Sequence, residues 1–264
     1  VASRGLGDVY KRQVRVLHNQ SFVDDPTRIF RAARYATRLS FEMELTTKEA
    51  LFRDLDGIGK LSGTRILNEL NLIFEETNSV EVLKNLDEWG VFKAIHPQLD
   101  IPLEALDTVK NSSPEGVSSY EVGLLALLYC SSDVIRDEIS KRLKFSSSLH
   151  SKVYDLGRIR QLVPSMKNSD IYEKLKGLSL ESLHVARSIS SPANLELPAQ
   201  IDLYLSDLVK VSISVTGDDL LEIGIPEGPL IGSTLCSIHK ELLDGQIETR
   251  QEQVELAKKI FSGS

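Results

Sequence analysis

The chain has 264 residues, 41% hydrophobic and 26% charged, a net charge of −7, two cysteines and five histidines. That is enough apolar sequence to bury a core in two or three subdomains, while the acidic balance argues against a general nucleic-acid binder held by bulk charge. The longest apolar run, residues 122–130, is too short to cross a membrane. The histidines and cysteines lack ligand spacing, which counts against a protein metal site, and no His-Asp doublet suggests a metal phosphohydrolase.

In chain order, residues 8–13 (Asp-Val-Tyr-Lys-Arg-Gln) back-translate to a transposon end used in sequencing libraries. Residues 1–13 are therefore read as an adaptor artefact and left out of fold reasoning. On that reading the natural protein continues upstream. Residues 14–17 alternate like a strand, and the rest reads almost wholly as helix. Asp25 is a good N-cap and Pro26 suits a first helical position, so a helix is expected from there to about Leu39. Its apolar side holds Ile29, Ala32, Ala33, Ala36 and Leu39, and its other side holds Arg28, Arg31, Arg34 and Arg38, with no acid between residues 26 and 38.

Thr46-x-x-Glu49 reads as a capping box opening the next helix. Gly57 to Lys60 breaks it, and Ser62 or Gly63 starts a helix to about Glu76. Ser79 starts another, stopped at Gly90, and a short helix follows up to Pro97. Residues 98–119, with an Asn-Ser-Ser-Pro-Glu-Gly turn at 111–116, read as loop-rich and as the expected boundary. Beyond it a buried helix is predicted over 120–129, one capped by Ser132 to Leu143, and one over 149–163 whose Lys152, Arg158 and Arg160 could extend a basic surface. Shorter helices are predicted near 169–176, 179–190, 197–210, 217–223, 230–243 and 249–261. Gly217-Asp218-Asp219 reads as helix capping rather than a metal pair, and Gly228-Pro229 as a tight turn opening a helix, with an anion at that N-terminus as an alternative. Cys130 and Cys236 sit in apolar helical patterns and read as buried thiols of a reducing compartment.

The stretch Asp24-Asp25-Pro26-Thr27-Arg28 is the most informative. Arg28 lies one turn from Asp25, so an acceptor and a forked donor can point the same way and read the hydrogen-bonding edge of a nucleobase. The plainer reading is capping by the acids and a solvated arginine face paired with acids elsewhere.

Together with Arg31 to Tyr35, Leu39-Ser40-Phe41 and Thr64-Arg65-Ile66-Leu67-Asn68-Glu69-Leu70, this stretch resembles the neck of class II tRNA nucleotidyltransferases and poly(A) polymerases. Asp24 stands where many relatives have Glu, and Thr64 replaces the Glu of the second motif. Thr216 to Leu221 and Gly224 to Gly232 resemble the C-terminal region of bacterial members.

The resemblance implies an all-α fold, an elongated multi-helix neck, body and tail. A remnant of the catalytic head would occupy 14–20, the neck 21–90, the body 91–163 and the tail 164–264. It implies addition of C, A or both to tRNA 3′ ends, with CTP, ATP and tRNA as partners and Mg2+ held by a head that the sequence does not show. No DNA or membrane partner and a cytoplasmic location are expected. Asp24, Asp25 and Arg28 match the base-reading motif; Arg31, Arg34 and Arg38 would either position primer phosphates or brace the neck. Arg65 and Glu69 would support the site as an ion pair. The chain itself is expected to bind but not catalyse. A poly(A) polymerase fragment and a non-catalytic helical RNA-binding module remain the alternatives.

Overall fold

The structure, a computed structural model, describes residues 7–8, 12–112, 116–189 and 195–262. Most of the segment read as an adaptor artefact, and the centre of the turn at 111–116, lie outside the described residues. The chain divides into two compact units, residues 1–157 with 179–189, and residues 158–178 with 190–264.

Unit 1 begins with three two-residue strands. β2 (Gln13–Val14) pairs antiparallel with β1 (Gly7–Asp8) and parallel with β3 (Glu42–Met43), Val14 lying opposite Met43. The helices are α1 (Ser21–Asp24), α2 (Arg28–Leu39), α3 (Leu45–Asp54), a 3-10 stretch over Leu55–Lys60, α4 (Gly63–Phe74), α5 (Ser79–Glu88) and α6 (Val91–Ile95). They continue with α7 (Leu103–Asn111), α8 (Ser119–Leu128), α9 (Asp133–Leu143) and α10 (Ser147–Ile159), the last belonging to unit 1 as far as Gly157. After α11 (Asn168–Leu175), a unit 2 helix, the chain returns to unit 1 with α12 (Leu180–Ser188). The all-α architecture is as predicted; the residues read as loop-rich carry α7 and lie inside unit 1.

Local chemistry starts several of these helices. The hydroxyls of Ser62, Ser118, Ser132 and Ser179 accept the amide three residues on and so fill a donor that the first turn leaves open. The box predicted at Thr46 does not form. α3 starts at Leu45 and leaves Thr46 inside its first turn, while the Thr47 hydroxyl accepts the Val16 amide at 3.1 Å, a long-range tie between the strand segment and α3. Gly90, at φ 79°, turns the chain out of α5.

The core of unit 1 collects Phe22, Phe30, Leu51, Ile58, Ile66, Ile73, Leu83, Leu86, Phe92, Leu124 and Leu125, all under 2% exposed. α2 buries Ile29, Phe30, Ala32, Ala33 and Ala36 against β2, α4 and α5; Leu39, placed on the apolar side by the sequence, is 48% exposed at the helix end. Two glycines allow the closest approaches. A Cβ on Gly63 would lie 2.5 Å from the Leu143 backbone, and one on Gly123 would lie 2.3 Å from the Phe74 ring. Cys130 is exposed, a correction to its reading as a buried thiol, because it lies just past the end of α8.

Unit 2 holds α11, α13 (Leu197–Ser206), a 3-10 turn over Leu208–Lys210, α14 (Gly217–Glu222), α15 (Pro229–Leu243) and α16 (Arg250–Ser262). Val215, Leu220, Ile225, Ile238 and Ala257 form one core cluster. Asp244 ties the start of α11 to the end of α15 by accepting the Ser169 amide at 2.8 Å and its hydroxyl at 2.9 Å. Thr216 and Asp219 make the reciprocal capping box of α14. Gly228 and Pro229 open α15 as predicted, while Cys236 on its surface is exposed rather than buried.

Candidate functional site

The residues singled out by the sequence converge where α1 gives way to α2. Asp25 has extended backbone between the two, and its Oδ1 accepts the Thr27 amide at 3.2 Å and the Thr27 hydroxyl at 2.7 Å. This closes an Asx turn just ahead of α2, which starts at Arg28 with Thr27, rather than the expected Asp25, in the cap position and no side-chain hydrogen bond there. Arg65, near the start of α4, donates from Nη2 to the same oxygen at 2.7 Å. Burial pushes the Asp25 carboxyl upward in pKa, but the two Thr27 donors and Arg65 outweigh it and hold the group below the ordinary carboxylate range. Asp25 is thus a fixed anion that can accept and cannot donate.

Arg28 does not pair with Asp25 in this state. Its Nη1 donates to the Ser21 carbonyl at 3.0 Å, folding the side chain back along α1. Asp24 is half exposed and faces His18, with Oδ2 3.6 Å from Nε2. The sequence foresaw that these residues cluster, but not that Arg65 is the nearest cation to Asp25.

Behind Asp25 the arginine face of α2 meets two acids in a continuous ladder. Glu69 of α4 accepts from Arg31 Nε at 3.1 Å and lies 3.8 Å from Arg34 Nη1. Glu76, in the turn after α4, accepts from Arg34 Nε at 3.1 Å and from Arg38. Arg31 also approaches Asp25 Oδ2 at 4.0 Å. The expected Arg65–Glu69 pair is therefore replaced by two cross-pairings, Arg65 with Asp25 and Glu69 with Arg31 and Arg34, because α4 presents its first charge to the turn before α2 and its second to α2 itself. Glu76 sits below the ordinary carboxylate range, chiefly through the Arg38 hydrogen bond. All three arginines thus pair with acids, while Arg31 and Arg38 remain 44% and 49% exposed.

Lys110 of α7, which the sequence did not single out, secures the turn that carries Glu76. Its ammonium donates to the carbonyls of Glu76 at 2.8 Å and Thr77 at 2.6 Å and to the Ser79 hydroxyl at 2.8 Å. Only its position in the third dimension reveals this, 34 residues from Glu76. Lys152, read as part of a basic surface, is instead held between Glu121 at 2.6 Å and Glu181 at 2.8 Å. In unit 2, Asp219 is lowered to about 2 by the Thr216 amide, then by Arg250 and the Thr216 hydroxyl, as a cap requires. Among the described residues, no group of three or more His, Cys, Asp or Glu side chains is arranged to hold a metal ion.

Sequence profiles of known families match most of this architecture. Residues 115–257 match "tRNA nucleotidyltransferase domain 2", and residues 40–101 match "Probable RNA and SrmB-binding site of polymerase A". The A-adding tRNA nucleotidyltransferase of Geobacter sulfurreducens is 32% identical over 96% of this chain, which covers 31% of that protein. The Thermotoga maritima CCA-adding enzyme complexed with tRNA-CCA superposes with a TM-score of 0.71 at 26% identity, over 96% of this chain and 65% of that one. A CCA-adding enzyme solved in complex with CTP gives 0.73 at 25% identity, over 96% of this chain and 63% of that one. The fold and the match over residues 115–257 define a tRNA nucleotidyltransferase body. The chain belongs to the class II CCA- and A-adding tRNA nucleotidyltransferase family, of which it represents the neck, body and tail region. It spans about a third to just under two thirds of the relatives it matches.

Proposed function

We propose that this chain supplies nucleotide choice and tRNA binding to an enzyme that adds C, A or both to tRNA 3′ ends. The observation that carries the reading is Asp25, an anion fixed at the head of the arginine-bearing helix. A carboxylate there accepts from the exocyclic amine that cytosine and adenine share. It meets the lone pairs of the carbonyl that uracil and guanine present instead. Arg28 turns from the Ser21 carbonyl to donate to ring-nitrogen or carbonyl acceptors on the same edge, and Asp24 supports the pair. One well-made base contact of this kind is worth about 1–3 kcal/mol of discrimination, so the protein serves as the template.

The exposed edges of Arg31 and Arg38 take primer phosphates, while their inner contacts to Glu69 and Glu76 keep the face rigid. The Mg2+ ions of such a reaction would be held by a catalytic head of the family. Among the described residues no helix is long and apolar enough to cross a membrane, and a cytoplasmic setting suits a tRNA substrate.

The test is Arg28→Ala in the whole chain joined to a catalytic head of the family. We expect loss of the preference for CTP and ATP over UTP and GTP in tRNA extension. Unchanged preference would remove Arg28 from the mechanism.

A further inference from the structure

The two oxygens of Asp25 are used unequally. Oδ1 receives three donors, the Thr27 amide, the Thr27 hydroxyl and Arg65 Nη2, at 3.2, 2.7 and 2.7 Å. Among the described residues none donates a hydrogen bond to Oδ2, and Arg31 Nη1 lies 4.0 Å from it. A carboxylate has about four lone-pair directions in all, so Oδ1 has no capacity left and Oδ2 has its full share. Thr27 is 1% exposed, which keeps water from competing for its hydroxyl. The amide alone would close the turn, at the longer distance. The hydroxyl adds a second, shorter anchor from the same residue, and two anchors fix the plane of the carboxylate where one would let it swivel.

We infer that Thr27 is a positioning residue for nucleotide choice: with Arg65 it occupies one oxygen of Asp25 and leaves the other as a single directed acceptor for the exocyclic amine of a base. This rests on the reading of Asp25 as the base-contacting group. Discrimination needs the acceptor to be unable to turn aside, because a carboxylate free to rotate escapes the carbonyl of uracil or guanine and the wrong base is no longer penalised. The sequence could not show this. Thr27 falls in the unmatched middle of the Asp24-to-Arg28 stretch, and Arg65 lies 40 residues from Asp25.

The experiment measures tRNA extension with each of the four nucleoside triphosphates, using the whole chain joined to a catalytic head. Thr27→Val keeps the shape and deletes the donor; the ratio of CTP and ATP use to UTP and GTP use falls roughly tenfold, the effect of one hydrogen bond to a charged group. Thr27→Ser returns the donor and restores the ratio, which a purely space-filling role would not predict. Arg65→Met, at a side chain 50% exposed, lowers the ratio in the same direction and covers the case in which Thr27→Val fails to fold. A parental ratio in Thr27→Val, or in Arg65→Met should Thr27→Val not fold, overturns the inference, as does a Thr27→Ser protein no better than Thr27→Val. Asp25→Asn separates two failures. If it keeps full discrimination, the base-contact reading falls and takes this one with it. If it loses discrimination while Thr27→Val does not, only the role of Thr27 falls.

Discussion

Glu69→Gln keeps the shape of a side chain and deletes its charge, so it isolates what this carboxylate does for the arginine face. Glu69 is 6% exposed at its side chain and lies 3.1 Å from Arg31 Nε and 3.8 Å from Arg34 Nη1. Breaking a fully buried pair from one side costs about 3–5 kcal/mol, because the remaining charge is stranded away from water. Two features reduce that here. Arg31 is 44% exposed and can turn to solvent, where a pair is worth at most about 1 kcal/mol. Arg34, 13% exposed, keeps Glu76 at 3.1 Å. What remains is one charge-assisted hydrogen bond and partial desolvation of Arg34, about 1–2 kcal/mol. Trp89 is the single tryptophan and is 9% exposed within unit 1, so its fluorescence in urea follows this unit. The midpoint should fall at unchanged slope. Stability equal to the parent, or above it, would refute the ladder as a brace.

Two further outcomes follow from the same geometry. Gly123→Ala gains about 1 kcal/mol of helix propensity but places a Cβ 2.3 Å from the Phe74 ring. Overpacking costs about 1–3 kcal/mol, so a net loss is expected in the same fluorescence assay, recovered in part by adding Phe74→Leu. Acid should also weaken unit 1. Glu76 and Asp25 have folded pKa values below their ordinary 4.5 and 3.8, so they hold fewer protons folded than unfolded. Their stabilisation is complete above those values and is lost as pH falls through the folded ones. Stability followed by Trp89 fluorescence from pH 6 downward should drop less steeply in Glu76→Gln than in the parent.

Much of the fold was legible because it is decided locally. Ser62, Ser132 and Thr216 cap the helices they precede, since the hydroxyl and the amide it satisfies lie within four residues. Thr46 failed as a cap because α3 starts earlier, at Leu45, and leaves it inside the first turn. Cys130 was misread because an apolar run says little about where its helix stops, and it follows α8 by two residues; Cys236 lies within α15 but on its exposed side. In the site, the cluster around Asp25 was readable from one short stretch. Its partners were not. Arg65 on Asp25, Glu69 on Arg31, and Lys110 under Glu76 are pairings across 34 to 40 residues, set by how α2, α4 and α7 pack. Spacing along one helix suggested Arg28 for Asp25, but the turn between α1 and α2 aims Arg28 at the Ser21 carbonyl instead.

The most direct measurement is tRNA extension by an enzyme carrying Asp25→Asn, with each of the four nucleoside triphosphates in turn. Asparagine keeps the size of the side chain but adds an amide donor that can meet the carbonyl of uracil or guanine. The account predicts that use of UTP and GTP rises relative to CTP and ATP while tRNA is still bound. An unaltered preference for CTP and ATP would contradict it.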